Sequence, residues 1–431
     1  MDLSELVRPD RIHRRIYADP AIFELEMERI FGRSWIFLAH DSQIPNTGDF
    51  YRTRLGREDV LVVRDGAHVR ALINRCAHRG AVVCAGDRGN LPGFVCPYHG
   101  WSFRLDGKLN AVPHRQSYPE SFSLDDPRLS LGRVPRVESY RGFIFGNLAP
   151  DGISLIEHLG PMTAAIDNLV DRAPDGEIEQ AGGIARLEYR GNWKFHNENA
   201  IDTLHPGFVH ESSVASAKAD RRDYADPAYD AHQAHTQLLA NAFGPREWDA
   251  IGLVGAPAGH AYMGGFYKSG ILAPTRNDPV WLDYRARLAK RLGPEKADAV
   301  LAVDRFNNII FPSLSINAQY QQVRIVQPLA VDRTQLVSFC FRLKGAPEKL
   351  FQQAVRFLTN LCSPYSMIFG DDLEIFTRCQ TGLANPTPEW IDVSRGLGRE
   401  QRRADGALES ASLSELPQRA QMAAWLRCMS A

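Results

Sequence analysis

Apolar positions change their spacing several times along this chain. Between residues 19 and 38, Ile22, Leu25, Ile30 and Phe31 recur at helical spacing behind Asp19-Pro20, a cap followed by a first-turn proline, and a helix is expected there. From residue 40 the apolar runs shorten. Val60-Leu61-Val62-Val63 and Val69-Arg70-Ala71-Leu72-Ile73 flank Asp65-Gly66, which reads as a hairpin turn. Gly86, Gly89, Pro92, Gly93, Pro97, Gly107 and Pro113 punctuate the chain beyond this hairpin. This β-rich region is expected to end with Phe143-Ile144-Phe145-Gly146-Asn147, ahead of the turn Pro150-Asp151-Gly152.

Beyond residue 155 helical and strand periods alternate. Residues 154–169 read as helix and 185–195 as strand. Residues 214–260 are rich in Ala, Asp, Gly and His with little period, and are expected to form loops and short helices at a rim or lid. Strand signals return over 306–344, in Ile309-Ile310-Phe311, Val323-Arg324-Ile325-Val326 and Leu336-Val337-Ser338-Phe339. From Pro347 to Asn360 a stripe of Leu350, Phe351, Ala354, Val355 and Leu358 predicts a helix, and the tail from Glu400 reads as a charged helix. The expected class is α+β: an N-terminal helical segment over 1–39, a β-rich domain over 40–155 and a mixed domain over 156–431.

Composition narrows the setting. The 431 residues leave room for two to three domains, and 44% hydrophobic with 23% charged residues is ordinary globular composition. Fifty Lys and Arg against 51 Asp and Glu give a net charge of −1, so the chain has no basic footprint for nucleic acid. Seven cysteines, an odd number on a long chain, argue for a reduced compartment and for structural or metal-binding thiols. The charged start and the lack of any run near the ~18 apolar residues that span a bilayer point to a cytoplasmic protein without a membrane partner.

Two clusters carry chemistry. In the first, Cys76-Ala77-His78 is followed after 17 residues by Cys96-Pro97-Tyr98-His99, both halves lying in turn-like sequence between strands. Two thiolates and two imidazoles complete the ligand set of one tetrahedral zinc, or of a [2Fe–2S] cluster with the cysteines on one iron and the histidines on the other. Zinc fingers usually pair their cysteines first and their histidines second. Here each half gives one of each and soon reaches a glycine, Gly80 or Gly100, that lets backbone approach a cluster. Cys84, between the halves, reads as a small core residue.

The second cluster is Asn192-Trp193-Lys194 through Glu198-Asn199 to Asp202, His205 and His210. Asp202 and His205, three apart, are expected to share a helix face. His205 and His210 are five apart, about 140° around an ideal helix, and converge on one ion only if the helix is distorted. Pro206-Gly207 between them supplies a cause. Two histidines and one carboxylate with open positions are the donor set of non-haem Fe(II) oxygenases. The third ligand must come from elsewhere, and Gly370-Asp371-Asp372-Leu373-Glu374 offers Asp372 or Asp371. Taken alone, that acidic run reads as a helix N-terminus. His232 and His235 have no flanking pattern that supports a metal, and Gly264-Gly265 lacks the context of a dinucleotide site.

Gly89-Asn90, Phe94, Cys96, Tyr98-His99-Gly100-Trp101 and Val112-Pro113 resemble the Rieske domain of aromatic ring-hydroxylating oxygenases. With the second cluster, the resemblance extends over residues 20 to 380, to the large (alpha) subunit of a Rieske non-haem iron oxygenase. It implies a Rieske domain beside a helix-grip catalytic domain, an antiparallel sheet closed by helices around mononuclear iron, with the N-terminal segment packed on the latter. Cys76, His78, Cys96 and His99 would hold the [2Fe–2S] cluster; His205, His210 and Asp372 would hold Fe(II). The resemblance favours Asp372 over Asp371, since the family's ligand stands two residues before a Glu. Asn199 and Asp202 would be catalytic, Asp202 linking His205 to the cluster histidine of a neighbouring subunit. One departure is Leu204, where many members carry Tyr.

The implied activity uses O₂ and electrons drawn from NAD(P)H through a separate reductase or ferredoxin. Its product is an arene cis-dihydrodiol, with monooxygenation or demethylation as the alternative. The assembly would be a homotrimer, or α₃β₃ with a small β subunit. An electron carrier alone needs about one ~100-residue domain, and a zinc scaffold would be colourless. Ile201, Phe208 and Ile368, near the ligands, are candidate substrate contacts. The three-residue step from Asn199 to Asp202 resembles members that act on carboxylated arenes such as benzoates, but the sequence alone singles out no pocket arginine to pair with an acid.

Overall fold

In the computed structural model, which describes residues 3–220, 248, 250–270, 272, 274–363, 366 and 368–430, Asp65-Gly66 joins strands Glu58–Asp65 and His68–Ile73. Asp65 faces His68, and Gly66 takes the left-handed φ of 59° that such a turn requires. Asp49–Leu55 and Arg88–Asn90 extend the hairpin to four strands. Two three-stranded sheets complete a unit spanning Met27–His158. Leu61, Val63, Leu72, Phe94, Trp101 and Phe103 form its core, and Cys76 and Cys96 are buried in the same cluster.

Residues 36–40 correct the helix expected over 19–38. The helix covers Pro20–Arg29, and Ile36–His40 is a strand with all five side chains buried. A fully buried run has no alternation, so its period cannot distinguish strand from helix. This strand pairs with Phe143–Asn147, the one near the unit's end. Trp35 Nε1 donates to Ile153 O and Asn147 Nδ2 to Arg33 O, both at 3.0 Å, so entering and leaving chain are fastened together.

The other unit combines Met1–Glu26 with Leu159–Ala431. Among the described residues its frame is a nine-stranded antiparallel sheet. Ile178–Tyr189 lies at one edge, beside Arg333–Leu343, Gln322–Ala330, Leu314–Asn317 and Phe306–Ile310. Ala261–Gly264, Gly252–Gly255, Leu408–Ala411 and Gln401–Arg402 continue it to the far edge. The helix Glu348–Cys362 lays Phe351, Ala354, Phe357, Leu358 and Leu361 into a cluster with Cys340 of the sheet. Each phenylalanine or leucine among them, fully buried, stabilises by about 1.5–3 kcal/mol. At the other end the helix Leu416–Ser430 comes so close that a Cβ on Gly255 would stand 2.8 Å from Ala420 Cβ, so glycine is required there.

Local readings shift for local reasons. The helix expected over 154–169 is two helices, Leu155–Leu159 and Thr163–Asp171, interrupted at Gly160-Pro161. The strand expected over 185–195 begins earlier, at Ile178, and ends at Tyr189; Gly182 and Gly183, at φ 74° and 89°, form an irregularity that hid its first half. The tail from Glu400 first makes two short strands around Asp405-Gly406 and turns helical at Leu416. Most of 214–260, with His232 and His235, lies outside the described residues. No helix among the described residues is long and apolar enough to cross a membrane.

One buried knot ties the sequence-distant helices of this second unit. Glu26 is fully buried and accepts from Lys194 Nζ at 2.6 Å, Trp425 Nε1 at 2.6 Å and Trp193 Nε1 at 2.8 Å. It holds the helix Lys194–Ala200, which leads into the second cluster, against the N- and C-terminal helices.

Candidate functional site

Two loops of the Met27–His158 unit repeat one construction. Gly80 N–H donates to Cys76 O at 2.9 Å, and Gly100 N–H to Cys96 O at 3.0 Å. Both glycines take positive φ, 76° and 70°. Cys76 N–H donates to Ala81 O and Cys96 N–H to Trp101 O, each at 2.8 Å. The two turns bring the histidine rings together, His78 and His99 having centroids 4.6 Å apart, and His78 stacks on Trp101 at 4.9 Å. Burial raises the Cys76 thiol pKa and the adjacent Cys96 adds to this, while the N–H groups of His78 and Arg79 favour the thiolate. Burial, with His99 and Arg79, lowers that of His78, whose Nδ1 is buried with no hydrogen-bond partner. A buried ring nitrogen held uncharged and unpartnered, beside two core thiols, fits a metal-sulfur group rather than an empty core.

In the other unit Asp202 does not share a helix face with His205. The helix ends at Ala200, Asp202 N–H donates to Asn199 O at 3.1 Å, and Asp202 Oδ1 accepts from Leu204 N at 2.7 Å. An aspartate bonding the amide two residues on builds a turn in place of a helix. His205 then caps the short helix Pro206–Val209, and His210, at φ −101° and ψ 21°, separates it from Glu211–Ala219. That break is the distortion the spacing required, placed at His210 instead of at Pro206-Gly207. It brings the two rings to a 5.6 Å centroid separation at 75°.

Asp372, in the first turn of the helix Phe369–Ala384, completes the group. Ligand atoms of His205, His210 and Asp372 lie within 4.8 Å of one another. Asp372 Oδ1 is 3.7 Å from His205 Nε2 and 3.5 Å from His210 Nε2. Asp371 stands behind the group, its Oδ2 3.4 Å from His210 Nδ1 and 3.5 Å from Ser213 Oγ. Asn199 Nδ2 donates to Asp372 Oδ1 at 3.0 Å and to His205 Nε2 at 3.1 Å. Burial lowers the His205 pKa although Asp372 and Asp202 oppose it. Burial also raises that of Asp372 against the pull of His205, His210 and Asn199. Two imidazoles and a poorly solvated carboxylate on one side of a recess fit a divalent cation with coordination positions left over.

A cavity of about 150 Å³ adjoins the group. Trp248, Met263, Phe266, Phe306, Tyr320, Phe357, Leu361 and Ile368 supply its apolar wall, and Asn307, Asn317 and Arg324 its polar points. Of the three substrate contacts expected from sequence, Ile368 lines this cavity. Ile201 does not; it is fully buried in a core with Trp248, Leu253, Met263 and Phe306. Phe208 does not either, because the one-turn helix turns it outward, where it is 75% exposed. Most wall residues were missed because they come from strands and helices far apart in the chain. Phe357 and Leu361 had a signal, since they prolong the stripe of Leu350, Phe351, Ala354 and Leu358.

Residues 34–137 match the family described as Rieske [2Fe-2S] domain, and residues 179–429 that described as ring hydroxylating alpha subunit (catalytic domain). Among curated relatives, the 2-halobenzoate 1,2-dioxygenase large subunit of Burkholderia cepacia is 36% identical over 390 residues, 90% of this chain and 80% of its own length. Toluate 1,2-dioxygenase subunit alpha of Pseudomonas putida is 35% identical over 391 residues, 90% of this chain and 81% of its own. Among solved structures, a naphthalene 1,2-dioxygenase mutant bound to phenanthrene superposes with a TM-score of 0.81 at 25% identity, over 98% of this chain and 93% of that one.

Proposed function

Because this chain belongs to the Rieske ring-hydroxylating oxygenases as a large, or alpha, subunit, we propose that it cis-dihydroxylates a single-ring aromatic acid. It is the terminal oxygenase of its system, an oxidoreductase with a Rieske [2Fe–2S] cluster and a mononuclear iron, supplied with electrons by separate proteins. The cavity carries the substrate reading. Its volume, about 150 Å³, is that of an engineered apolar cavity that holds benzene, so one ring is the natural occupant. Relatives named for 2-halobenzoate, toluate and anthranilate support an acid.

In this reading Cys76 and Cys96 hold one cluster iron and His78 and His99 the other, while His205, His210 and Asp372 hold the mononuclear iron. When bound, the cluster relays single electrons and the mononuclear iron activates O₂. The chain's own tasks are placement and exclusion. Asn199 fixes Asp372 through its amide, and Asp371 orients His210 from behind. The aromatic wall gives the ring an apolar face to pack against. Asp202 links His205 to His99 of the partner subunit in a trimer, α₃ or α₃β₃. Its position supports this: the Asp202 side chain is 25% exposed and its charge acts on His205. A cytoplasmic setting supplies NAD(P)H to the reductase.

The test uses holoprotein with a surrogate reductase and ferredoxin, a panel of benzoates, toluene and naphthalene, and ¹⁸O₂. Two labelled oxygens in a cis-diol of a benzoate are expected. One labelled oxygen would assign a monooxygenase. No turnover of any arene by protein holding both iron centres would refute the reading.

A further inference from the structure

Among the described residues lining the cavity beside His205, His210 and Asp372, Arg324 is the single side chain with a permanent positive charge. We propose that Arg324 is the anchor for the substrate carboxylate, fixing which ring carbons face His205, His210 and Asp372. The inference rests on the function proposed above and adds a specificity-determining residue to it.

Three observations carry it. The first is location. Arg324 stands within the strand Gln322–Ala330, directly between Ser315 and Ser338 of the flanking strands. Directly paired residues share a sheet face, so Arg324 has two small neighbours there where it lines the cavity. The second is the lack of an internal partner. Elsewhere arginines are tied down: Arg52 to Asp59 at 2.7 Å, Arg342 to Glu179 at 2.6 Å, Arg172 to Asn168 at 3.1 Å. No carboxylate among the described residues comes within 4.0 Å of the Arg324 guanidinium, although it is half-buried beside an aromatic wall. With no carboxylate at ion-pair distance, the guanidinium keeps its donors available for one that a ligand supplies.

The third is the fit of the group. A guanidinium presents two parallel N–H donors that match a carboxylate's two oxygens, so the acid is fixed in orientation as well as position. A neutral arene of the same shape gains nothing from this group.

Calorimetric affinities of the holoenzyme for benzoate and for benzamide, its neutral isostere, test the proposal in wild type, Arg324→Met and Arg324→Lys. In Arg324→Met, benzoate is expected to weaken about 100-fold, equivalent to about 2.7 kcal/mol at 1.36 kcal/mol per tenfold. Benzamide is expected to stay within about threefold, and Arg324→Lys, which keeps the charge but loses the fork, to fall between. Unchanged benzoate affinity in Arg324→Met, or equal weakening of both ligands, would overturn it. Should Arg324→Met fail to fold, Arg324→Lys decides alone: a raised KM for benzoate with kcat retained supports the anchor, and an unchanged KM overturns it. Failure of the wider reading looks different, as wild type that prefers benzoate through Arg324 yet oxidises no arene.

Discussion

Replacing Glu26 by Ala removes one carboxylate and leaves three donors without their acceptor. Lys194 Nζ, Trp193 Nε1 and Trp425 Nε1 all bond Glu26, and Lys194 is almost wholly buried. The rings of Trp193 and Tyr17, 4.8 Å and 5.4 Å from the ammonium, soften the loss without replacing the charge. Breaking a buried ion pair from one side destabilises by about 3–5 kcal/mol. Burial already lowers the Lys194 pKa, so in the variant the amine escapes by giving up its proton. From an unfolded value of about 10.4, neutralising it costs about 4 kcal/mol at pH 7.4 and about 1.4 kcal/mol at pH 9.4. The folded variant then binds one proton fewer than its unfolded chain, so its stability relative to wild type rises with pH. At about 2 °C per kcal/mol for a domain of this size, the expected deficit is about 8 °C at pH 7.4, shrinking to about 3 °C at pH 9.4. Thermal melts of the holoprotein by circular dichroism check both numbers. A variant melting within about 2 °C of wild type at pH 7.4, or a deficit that ignores pH, would refute the reasoning.

Four further outcomes concern the site and the helix that leads into it. Asp372→Ala is expected to lose one iron per chain while keeping the Rieske electron paramagnetic resonance signal. Asp371→Asn, changed only behind His210, should keep that iron with about 10–100-fold weaker affinity; iron analysis distinguishes the two. Asp202→Asn should retain all iron and lose turnover, and full activity with both centres loaded would eliminate the electron link. Glu198 is pushed up to about 7 by burial, with Glu415 and Asp202 adding and the Tyr17 hydroxyl and Lys194 opposing. Its protonated form is favoured in the fold, so its contribution is complete below about pH 4.5 and lost as pH rises through about 7. Glu198→Gln should therefore melt higher than wild type at pH 8 but not at pH 5, and parallel pH profiles would count against this.

Local sequence revealed what is local. Each Cys-His loop has its ligands and turn glycine within five residues, and His205 and His210 flank the proline and glycine between them. Asp372 could be placed only by resemblance, because its own neighbourhood reads as an ordinary helix start, which it also is. Spacing puts Asp202 on a helix face because it counts residues but does not show a side chain capturing the amide of Leu204. Arg324 sits in Val323-Arg324-Ile325-Val326, a pattern common to central strands. Its meaning comes from pairing with residues 315 and 338 and from a cavity wall gathered across more than a hundred residues. Phe208 erred the opposite way, since nearness in sequence to two ligands said nothing about which side of a one-turn helix it occupies.

The chain leaves the sheet-based unit after Glu26 and re-enters it at Leu159, which imposes a timetable on its synthesis. Lys194 follows Glu26 by 168 residues and Trp425 by 399. At about 5–20 residues per second, the ribosome delivers the first partner after roughly 8–34 s and the last after roughly 20–80 s. The intervening Rieske segment needs none of them, because its entering strand pairs with the one near its exit. It can therefore fold while the acidic residue ahead of it still waits in solvent, and the sheet-based unit is sealed only after its final helix has emerged.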